Sequence, residues 1–240
     1  LAARDYVDLT PVQSAVLAPE ATGRDLLVSA QTGSGKTVAY GLALADTLMG
    51  DAERLHRTAE PLALIVAPTR ELALQVQREL TWLYADTGAR IIACVGGMDA
   101  RRERRLLEDG AHIVVGTPGR LRDHIERGAL EPYSAKAVVL DEADEMLDLG
   151  FREDLEFILN ATPEDRRTLL FSATIPSAIA TLAKRYQRNA LRIESGAGER
   201  GHQDIEYRVI RVFPNEVEHA VVNILRQIEP KTTIIFANTR

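Results

Sequence analysis

The residues best suited to chemistry form the run Ala30-Gln31-Thr32-Gly33-Ser34-Gly35-Lys36-Thr37, which follows the apolar run Leu26–Val28. A strand, a glycine-rich turn, Lys-Thr and a helix make a phosphate cradle, in which backbone N–H groups face a polyphosphate. Lys36 would reach the β and γ oxygens, and the Thr37 hydroxyl would bind Mg²⁺. Gly33 and Gly35 allow tight wrapping because they lack a Cβ atom. An ordinary flexible turn is the alternative, but the pattern favours a site for a nucleoside triphosphate.

An acidic cluster, Asp141-Glu142-Ala143-Asp144, directly follows the β-branched run Val138–Leu140. That run predicts a strand buried on both faces. In an open parallel sheet, ligands lie beyond the carboxyl ends of the strands, so these carboxylates would sit beside the phosphate loop. We expect Asp141 to hold Mg²⁺ through water, and Glu142 to orient or deprotonate an attacking water. Taken alone, the motif could instead be a solvated acidic helix start.

The composition limits the classes of protein to which this chain can belong. The 240 residues are 45% hydrophobic and 27% charged, which fits a soluble globular protein with one large domain and part of another. No apolar stretch approaches the roughly 18 residues that span a bilayer, and the start lacks a signal-peptide pattern. The net charge of −6 argues against coating nucleic acid through bulk positive charge. The lone Cys94 predicts a buried strand residue, with no disulfide framework and no Cys-based metal site. We therefore expect a cytoplasmic protein with no membrane partner.

Apolar, strand-like runs alternate with amphipathic helical segments along most of the chain. The predicted strands are 26–29, 62–67, 91–95, 113–115, 137–140, 168–171 and 191–193. The predicted helices are 37–49, 70–85, 100–108, 120–127, 151–159 and 179–187. This alternation predicts an α/β fold with a mostly parallel, doubly wound sheet over a first domain at residues 1–194.

The alternation of predicted strands and helices stops at residues 195–204. These residues are glycine-rich and charged, which predicts a linker. After it, 205–212 and 232–236 predict strands and 216–227 predicts a helix. We therefore expect residues 205–240 to begin a second, truncated α/β domain. The missing initiator Met and the end directly after a strand-like run predict a piece of a longer protein.

The order of these motifs resembles that of the DEAD-box RNA helicases of superfamily two. Residues 30–37 resemble the family's phosphate loop, where Ala in the first place is usual, and residues 141–144 spell the family's name. Further matches are Pro68-Thr69-Arg70-Glu71-Leu72-Ala73 to motif Ia, Gly96-Gly97 to the GG motif, Thr117-Pro118-Gly119-Arg120 to motif Ib, Ser172-Ala173-Thr174 to motif III and Ile235–Arg240 to the start of motif IV. The resemblance implies a RecA-like P-loop fold, ATP and Mg²⁺ as cofactors, and RNA as the partner.

An upstream segment resembles the adenine-reading Q motif of the same family. It comprises Tyr6 and Thr10-Pro11-Val12-Gln13, with Leu9 where the family usually has Pro. The Gln13 amide can donate and accept in one plane, which matches N6 and N7 of adenine. Tyr6 can stack on the base. A helix-surface glutamine and a core tyrosine are the alternatives.

Residues 68–70 and 117–120 each follow a predicted strand and open a helix. Their N–H groups, hydroxyls and guanidiniums suit the phosphates of an RNA backbone. With the GG motif added by resemblance, the expected RNA-binding residues are Pro68, Thr69, Arg70, Gly97, Thr117, Pro118, Gly119 and Arg120. Helix capping is the alternative, and it is favoured for Thr117-Pro118 taken alone. We interpret the basic run 101–105 as a solvated helix face whose charge is partly offset by Glu103 and nearby acids.

Ser172 and Thr174 close a predicted strand, so we expect their hydroxyls near Asp144. In the family this motif is linked with coupling of hydrolysis to unwinding. The resemblance implies an ATP-dependent RNA helicase core whose second half, including an arginine opposite the γ-phosphate, lies beyond Arg240. We therefore expect this chain alone to bind adenine nucleotide weakly and to hydrolyse it slowly. The rival interpretations are a nucleotide-gated RNA clamp with little turnover, and the same chemistry on DNA.

Overall fold

One parallel sheet organises the larger of the two units into which the chain divides, residues 1–197 and 198–240. The structure is a computed structural model that describes residues 8–195 and 208–236. Within these ranges the strands are β1 (Leu26–Ala30), β2 (Ala63–Val66), β3 (Ile91–Cys94), β4 (Ile113–Gly116), β5 (Ala137–Leu140), β6 (Arg167–Ser172) and β7 (Leu191–Ser195). They lie in the order β3-β4-β2-β5-β6-β1-β7, and all paired strands are parallel. The predicted sheet is confirmed.

Helices connect the strands and cover both faces of the sheet. They are α1 (Pro11–Val16), α2 (Lys36–Met49), α3 (Arg70–Leu83), α4 (Ala100–Glu108), α5 (Pro118–Glu126), α6 (Ala143–Asp148), α7 (Arg152–Ala161) and α8 (Ser177–Tyr186). The six predicted helices are confirmed with small shifts at their ends. Helices α1 and α6 were not predicted, because each has 6 residues and is too short to show a helical period.

Successive strand residues point to opposite faces, which divides the core in two. On β2, Ile65 packs with the cluster under α1, α2 and α3, whereas Leu64 and Val66 pack with the cluster under α4 to α8. All three side chains are 0% exposed, so the strand is buried on both faces. The doubly wound arrangement follows from this two-sided burial.

The second unit contains helix α9 (Val217–Ile228), close to the helix predicted at 216–227. The two strands predicted beside it are wrong over their described part, because residues 208–212 and 232–236 form no strand. Strands need neighbouring strands to satisfy their N–H and C=O groups, and the described residues of this unit offer none. The apolar side chains of Ile234, Ile235 and Phe236 are accordingly exposed.

Several expectations fall outside the described residues. Tyr6, the greater part of the predicted linker (196–204) and the last four residues of the motif IV match (237–240) are among them. Ser195, the first residue of that linker, is the last residue of β7. The domain boundaries at 194 and 205 stay predictions.

Candidate functional site

The strand order brings the predicted nucleotide residues together. Strands β5, β6 and β1 are neighbours, and since all are parallel their carboxyl ends share one edge of the sheet. The acidic motif follows β5, the Ser-Ala-Thr motif closes β6, and the phosphate loop follows β1. Three segments that are far apart in sequence thus meet at the edge where an open α/β sheet binds its ligands.

The phosphate loop has the geometry that a bound anion needs. Gly33 and Gly35 have φ values of 83° and 86°, in the left-handed region that favours glycine. Helix α2 begins at Lys36 with no side-chain cap, so its first N–H groups keep their capacity for an anion. The Ser34 hydroxyl is buried and has no hydrogen-bond partner among the residues that the structure describes. An unpaired buried hydroxyl and an uncapped helix start fit a triphosphate in this loop.

Lys36 is paired with an acidic residue of the opposite segment. Its Nζ atom lies 2.8 Å from Glu142 Oε1 and donates to the carbonyl oxygen of Ala30 at 3.0 Å. The Thr32 hydroxyl donates to the same Glu142 oxygen at 2.9 Å. Lys36, which is predicted to bind phosphate, therefore forms an ion pair with Glu142, which is predicted to activate water. The two charges neutralise each other. Both groups must exchange partners before either can take its predicted role.

The backbone of Glu142 is strained. Its φ of 49° and ψ of 54° place a non-glycine residue in the left-handed region, at the junction between β5 and α6. Such a conformation costs about 1–3 kcal/mol and persists where the surroundings enforce it, as they often do at functional sites. This backbone turn directs the Glu142 side chain to Lys36 and Thr32.

Asp141 is buried and accepts two hydrogen bonds. Its Oδ1 accepts from the Glu142 N–H at 3.0 Å, and its Oδ2 accepts from the Tyr40 hydroxyl at 3.2 Å. Burial, supported by the Glu142 charge, raises the pKa of Asp141 to about 6, against the opposing effect of Lys36. The Thr37 side chain also contacts the Tyr40 hydroxyl. Oxygen ligands of this kind suit Mg²⁺, and Thr37 and Asp141 are the residues that could hold it.

Tyr40 is a site residue that the sequence analysis missed. It is 0% exposed, one helical turn after Lys36, and packs edge-to-face on Phe171 with ring centroids 5.3 Å apart. Burial raises the pKa of its hydroxyl, which is thus held protonated as a donor to Asp141. Tyr40 lies four residues after Lys36, and residues i and i+4 share a helix face, so this spacing could have indicated that Tyr40 lies at the site.

Gln13 is attached to the phosphate loop and is not exposed on a helix surface. Its amide nitrogen donates to the Gly35 carbonyl at 3.3 Å, and its amide oxygen accepts from the Thr10 N–H at 3.0 Å. A Cβ atom at Gly35 would lie 2.6 Å from the Gln13 amide nitrogen. Gln13 is 0% exposed, so contact with adenine requires a local shift of this helix start. The amide keeps one N–H and one lone pair for a base.

The expected contact between Asp144 and the Ser-Ala-Thr motif is confirmed. The Ser172 hydroxyl accepts from the Asp144 N–H at 3.1 Å. Asp144 Oδ2 accepts from the Thr174 hydroxyl at 2.7 Å and from the Thr174 N–H at 2.9 Å. Burial raises the pKa of Asp144, but the hydrogen bonds from Thr174 and Ser172 outweigh it and hold that pKa below its usual value.

The predicted RNA-binding residues lie on the other half of the same edge. Strands β3, β4 and β2 are neighbours, and they lead into Gly97, residues 117–120 and residues 68–70 respectively. Arg70 is exposed, and a Cβ atom at Gly97 would lie 2.9 Å from its guanidinium. Motif Ia and the GG motif therefore touch each other.

The two threonines in this half differ in how they begin their helices. The Thr69 hydroxyl accepts from the Leu72 N–H at 3.2 Å and so caps α3. Thr117 makes no side-chain cap, although Pro118 occupies the first turn of α5 as helix capping predicts. Helix capping therefore occupies the Thr69 hydroxyl and does not occupy the Thr117 hydroxyl.

A buried glutamate organises this half of the edge. Glu103 is 2% exposed; its Oε1 accepts from the Val95 N–H at 2.9 Å, and its Oε2 lies 2.7 Å from His124 Nε2. The same Oε2 lies 3.5 Å from Arg120, which also donates to the Met98 carbonyl at 2.9 Å. Arg120 is thus tied to the loop around the GG motif, and its side chain is only 16% exposed.

The interpretation of residues 101–105 as a solvated face is right for the arginines and wrong for Glu103. Arg101, Arg102, Arg104 and Arg105 are exposed, whereas Glu103 points inward. The missed signal is spacing, because Glu103 lies four residues before the buried Leu107 on one helix face.

Cys94 is buried, as expected, and burial raises the pKa of its thiol above the usual range. Its sulfur lies within 4.8 Å of ligand atoms of Glu103 and His124. The absence of a Cys-based metal site stays a prediction. The short Glu103–His124 hydrogen bond and the guanidinium of Arg120 beside the same carboxylate are features of an ion-pair network. We interpret the cluster as structural.

The sequence matches the DEAD/DEAH box helicase family over residues 10–182. The chain therefore belongs to this family. Among curated relatives, it is 37% identical over 235 residues to the DEAD-box ATP-dependent RNA helicase CshA of Bacillus licheniformis, covering 98% of this chain and 47% of that protein. CshA of Streptococcus pneumoniae serotype 4 is also 37% identical, with 98% and 44% covered. The chain thus spans about half the length of the curated relatives it matches.

Solved structures show the same fold. A DEAD box protein from Methanococcus jannaschii superposes with a TM-score of 0.70 at 36% identity, covering 90% of this chain and 57% of that chain. A hypothetical ATP-dependent RNA helicase from Sulfolobus tokodaii gives a TM-score of 0.72 at 34% identity, with 80% and 54% covered. The fold of the first unit is the RecA-like fold of these proteins. None of its described helices, nor α9, has the length and apolarity needed to cross a membrane.

Proposed function

We propose that this chain is the ATP-binding part of an ATP-dependent RNA helicase, which couples Mg-ATP binding and hydrolysis to RNA binding and local unwinding. One observation carries the proposal: Lys36, Thr37, Asp141 and Glu142 meet at the carboxyl ends of β1 and β5. A cation, a hydroxyl, a buried carboxylate and a second carboxylate are four of the groups that phosphoryl transfer to water uses.

The nucleotide would be held by residues 30–37, with Lys36 on the phosphates. Mg-ATP supplies the γ-phosphoryl group that is transferred to water. Thr37 and Asp141 would hold the metal ion, and the Tyr40 hydroxyl keeps the Asp141 carboxylate in place. The Glu142 carboxylate would orient the water and accept its proton at an Oε atom.

The pairing of Lys36 with Glu142 gives this site a resting state. A triphosphate offers Lys36 several anionic oxygens, and the Glu142 carboxylate is then released from the ammonium group. Nucleotide binding would thereby create the free carboxylate that hydrolysis needs. Thr32, which donates to the same carboxylate, would be released with it.

RNA would be bound along the half of the edge that follows β2, β3 and β4. Residues 68–70 and 117–120 present helix starts, and Gly97 allows close approach of a backbone. Arg70 is an exposed cation of this surface. Arg120 contributes by fixing the loop through the Met98 carbonyl, as well as by its charge. Asp144, Ser172 and Thr174 would couple the two ligand sites.

We further propose that residues 1–194 form the first helicase domain, that 195–204 are a linker, and that 205–240 begin the second domain. A positive group opposite the γ-phosphate is worth about 10³–10⁵-fold in rate, and in the family it belongs to the second domain. This chain alone should therefore bind adenine nucleotide weakly, hydrolyse it slowly and not unwind RNA.

The deciding experiment is an ATPase assay on this chain and on the full-length protein, with no nucleic acid, with RNA, or with DNA of the same sequence. Hydrolysis by the full-length protein that RNA stimulates and DNA does not would support the proposal. RNA retained on a non-hydrolysable ATP analogue without turnover would instead identify a clamp. RNA-stimulated hydrolysis by this chain at the full-length rate would show that the second domain is not needed.

A further inference from the structure

A cavity lies at the opposite edge of the sheet from the residues predicted to bind nucleotide. It has a volume of about 350 Å³ and is lined by the ends of α7 and α8 and by the loop that leads into β6. Its polar lining includes Asn160, Thr162, Arg166, Arg185, Tyr186 and Arg188. The two ends of β6 are about 17 Å apart, so this cavity is separate from the site at Ser172.

The lining of this cavity carries more positive than negative charge. Three arginines face one lining carboxylate, Glu164. Within residues 8–195 and 208–236, Arg185 forms a salt bridge with Glu156 at 2.8 Å, whereas Arg166 and Arg188 form none. Arg166 is 6% exposed, so its positive charge is buried without a direct carboxylate partner. The carboxylates of Asp25 and Glu164 interact with this charge electrostatically but do not reach salt-bridge distance, so the guanidinium has no anion in direct contact among the described residues.

Two buried donors in the lining lack acceptors. Arg166 Nε and the Tyr186 hydroxyl are inaccessible to solvent, and neither has a hydrogen-bond partner in the described part of the chain. Arg166 uses Nη1 to bind the carbonyls of Thr162 and Pro163, at 3.2 Å and 2.7 Å. These hydrogen bonds satisfy carbonyl groups at the end of α7 and give Nη1 its acceptors. They provide no acceptor for Nε.

We propose that this cavity binds a phosphate group. A phosphate presents several anionic acceptor oxygens, which suit the exposed guanidinium of Arg188 directly. They also suit the unpaired Arg166 Nε and Tyr186 hydroxyl, which a local side-chain shift would open to the cavity. A single carboxylate has two oxygens and a smaller charge, so it would satisfy fewer of these donors. The cavity volume is at the lower end of the range for small-ligand sites. The source of the group is either free inorganic phosphate or the phosphate of a mononucleotide.

The proposal is tested by titrating the full chain with inorganic phosphate, followed by calorimetry and by NMR of the arginine side chains. The Lys36→Ala variant is titrated in parallel, because the phosphate loop would also bind phosphate. Tyr186→Phe removes only the unpaired hydroxyl, and Arg188→Gln removes an exposed guanidinium. Arg192→Gln, at another exposed arginine outside the cavity, is the matched control.

We expect phosphate binding to persist in Lys36→Ala and Arg192→Gln. Tyr186→Phe and Arg188→Gln should each weaken it at least about tenfold, since hydrogen bonds to a charged group typically contribute that much. Tyr186→Phe should keep the thermal stability of the parent, because no hydrogen bond is lost. Absence of phosphate binding in a Lys36→Ala protein that keeps the circular-dichroism spectrum of the parent, or equal binding in the two cavity variants and the parent, would overturn the proposal.

A second arm identifies the source of the phosphate. Adenosine 5′-monophosphate and adenosine are titrated into Lys36→Ala beside inorganic phosphate. Tighter binding of the monophosphate than of phosphate, with none of adenosine, would assign the cavity to a nucleotide phosphate. Binding of inorganic phosphate alone would assign it to the free ion. Binding of adenosine as tight as that of its monophosphate would contradict a phosphate site.

Discussion

Glu142 Oε1 lies 2.8 Å from Lys36 Nζ, and both side chains are almost fully buried. The two residues on which the proposed chemistry depends are therefore each other's partner across a gap of 106 positions in the sequence. We infer that ATP and Glu142 compete for one ammonium group. In the proposed mechanism the Glu142 carboxylate would stay paired until the phosphates displace it, which would link activation of water to occupancy of the phosphate loop.

The ion pair should be visible in the stability of the chain. Lys36→Ala leaves a buried carboxylate without its cation, and we expect the free energy of unfolding to fall by about 3–5 kcal/mol. In the background of Glu142→Gln the same change should cost less, with a coupling of about 1–3 kcal/mol. Urea unfolding of the four proteins in this double-mutant cycle measures the coupling. Lys184→Ala, at an exposed lysine, is the control, and strictly additive effects would exclude the pair.

Glu142→Gln in the full-length protein should retain ATP and RNA but lose turnover. The amide keeps the size of the carboxylate but cannot accept the proton of the water, and such assistance contributes about 10²–10⁴-fold. Lys36→Ala should instead lose nucleotide affinity. Single-turnover hydrolysis and equilibrium binding separate the two effects. Normal hydrolysis by Glu142→Gln would remove Glu142 from the proposed role.

The protein should bind ATP more tightly than GTP because of Gln13. Guanine presents an acceptor where adenine presents its N6 donor, and a buried polar group left unpaired costs about 1–3 kcal/mol. Gln13→Ala should therefore bring the two affinities together. Because Gln13 also bonds to Thr10 and Gly35, the measured quantity is the ratio of the ATP and GTP dissociation constants. An unchanged ratio would exclude Gln13 from base selection.

The contact between Thr174 and Asp144 should make stability depend on pH. Asp144 has a lowered pKa in the folded chain, so its contribution is present above the ordinary Asp pKa and is lost as the pH falls through the folded value. Thr174→Val should lower the free energy of unfolding by about 0.5–1 kcal/mol at pH 7, a modest amount because the contact is partly exposed. Thermal unfolding between pH 7 and pH 3 should show this difference shrinking. Thr181→Val, at an exposed helix threonine, is the control.

Glu103→Ala should destabilise the chain and weaken RNA binding. It leaves the Val95 N–H, His124 and Arg120 without their common acceptor, and we expect a loss of about 3 kcal/mol in the free energy of unfolding. Glu108→Ala, at an exposed glutamate of the same helix, should change stability by less than about 1 kcal/mol. Chemical unfolding and RNA titration of both variants test this. Equal stability of the two would show that the Glu103 cluster has no structural role.

Local patterns were sufficient to predict the sheet and the parts of the site. Buried parallel strands read as short β-branched runs, and the strand-loop-helix order placed Lys36 and Asp141 at one edge. The partners of these residues could not be predicted in the same way. The contacts of Glu142 with Lys36, and of Glu103 with His124, join distant segments through side-chain rotamers. The strands predicted beyond residue 204 failed where described, because strand propensity without a pairing neighbour does not form a sheet.

Strands β5 and β2 are neighbours at the boundary between the half of the edge predicted to bind nucleotide and the half predicted to bind RNA. Leu140 pairs with Val66 in the parallel register, and the Asp141 N–H donates to the Val66 carbonyl at 2.9 Å. The two halves therefore belong to one hydrogen-bonded sheet, and the neighbouring strands at their boundary are about 4.8 Å apart. Such a sheet would hold the two predicted ligand sites at a fixed distance from each other. Under the proposed function, work done on RNA would therefore come from side chains that change partners, or from structure outside this sheet, and not from bending of the sheet itself.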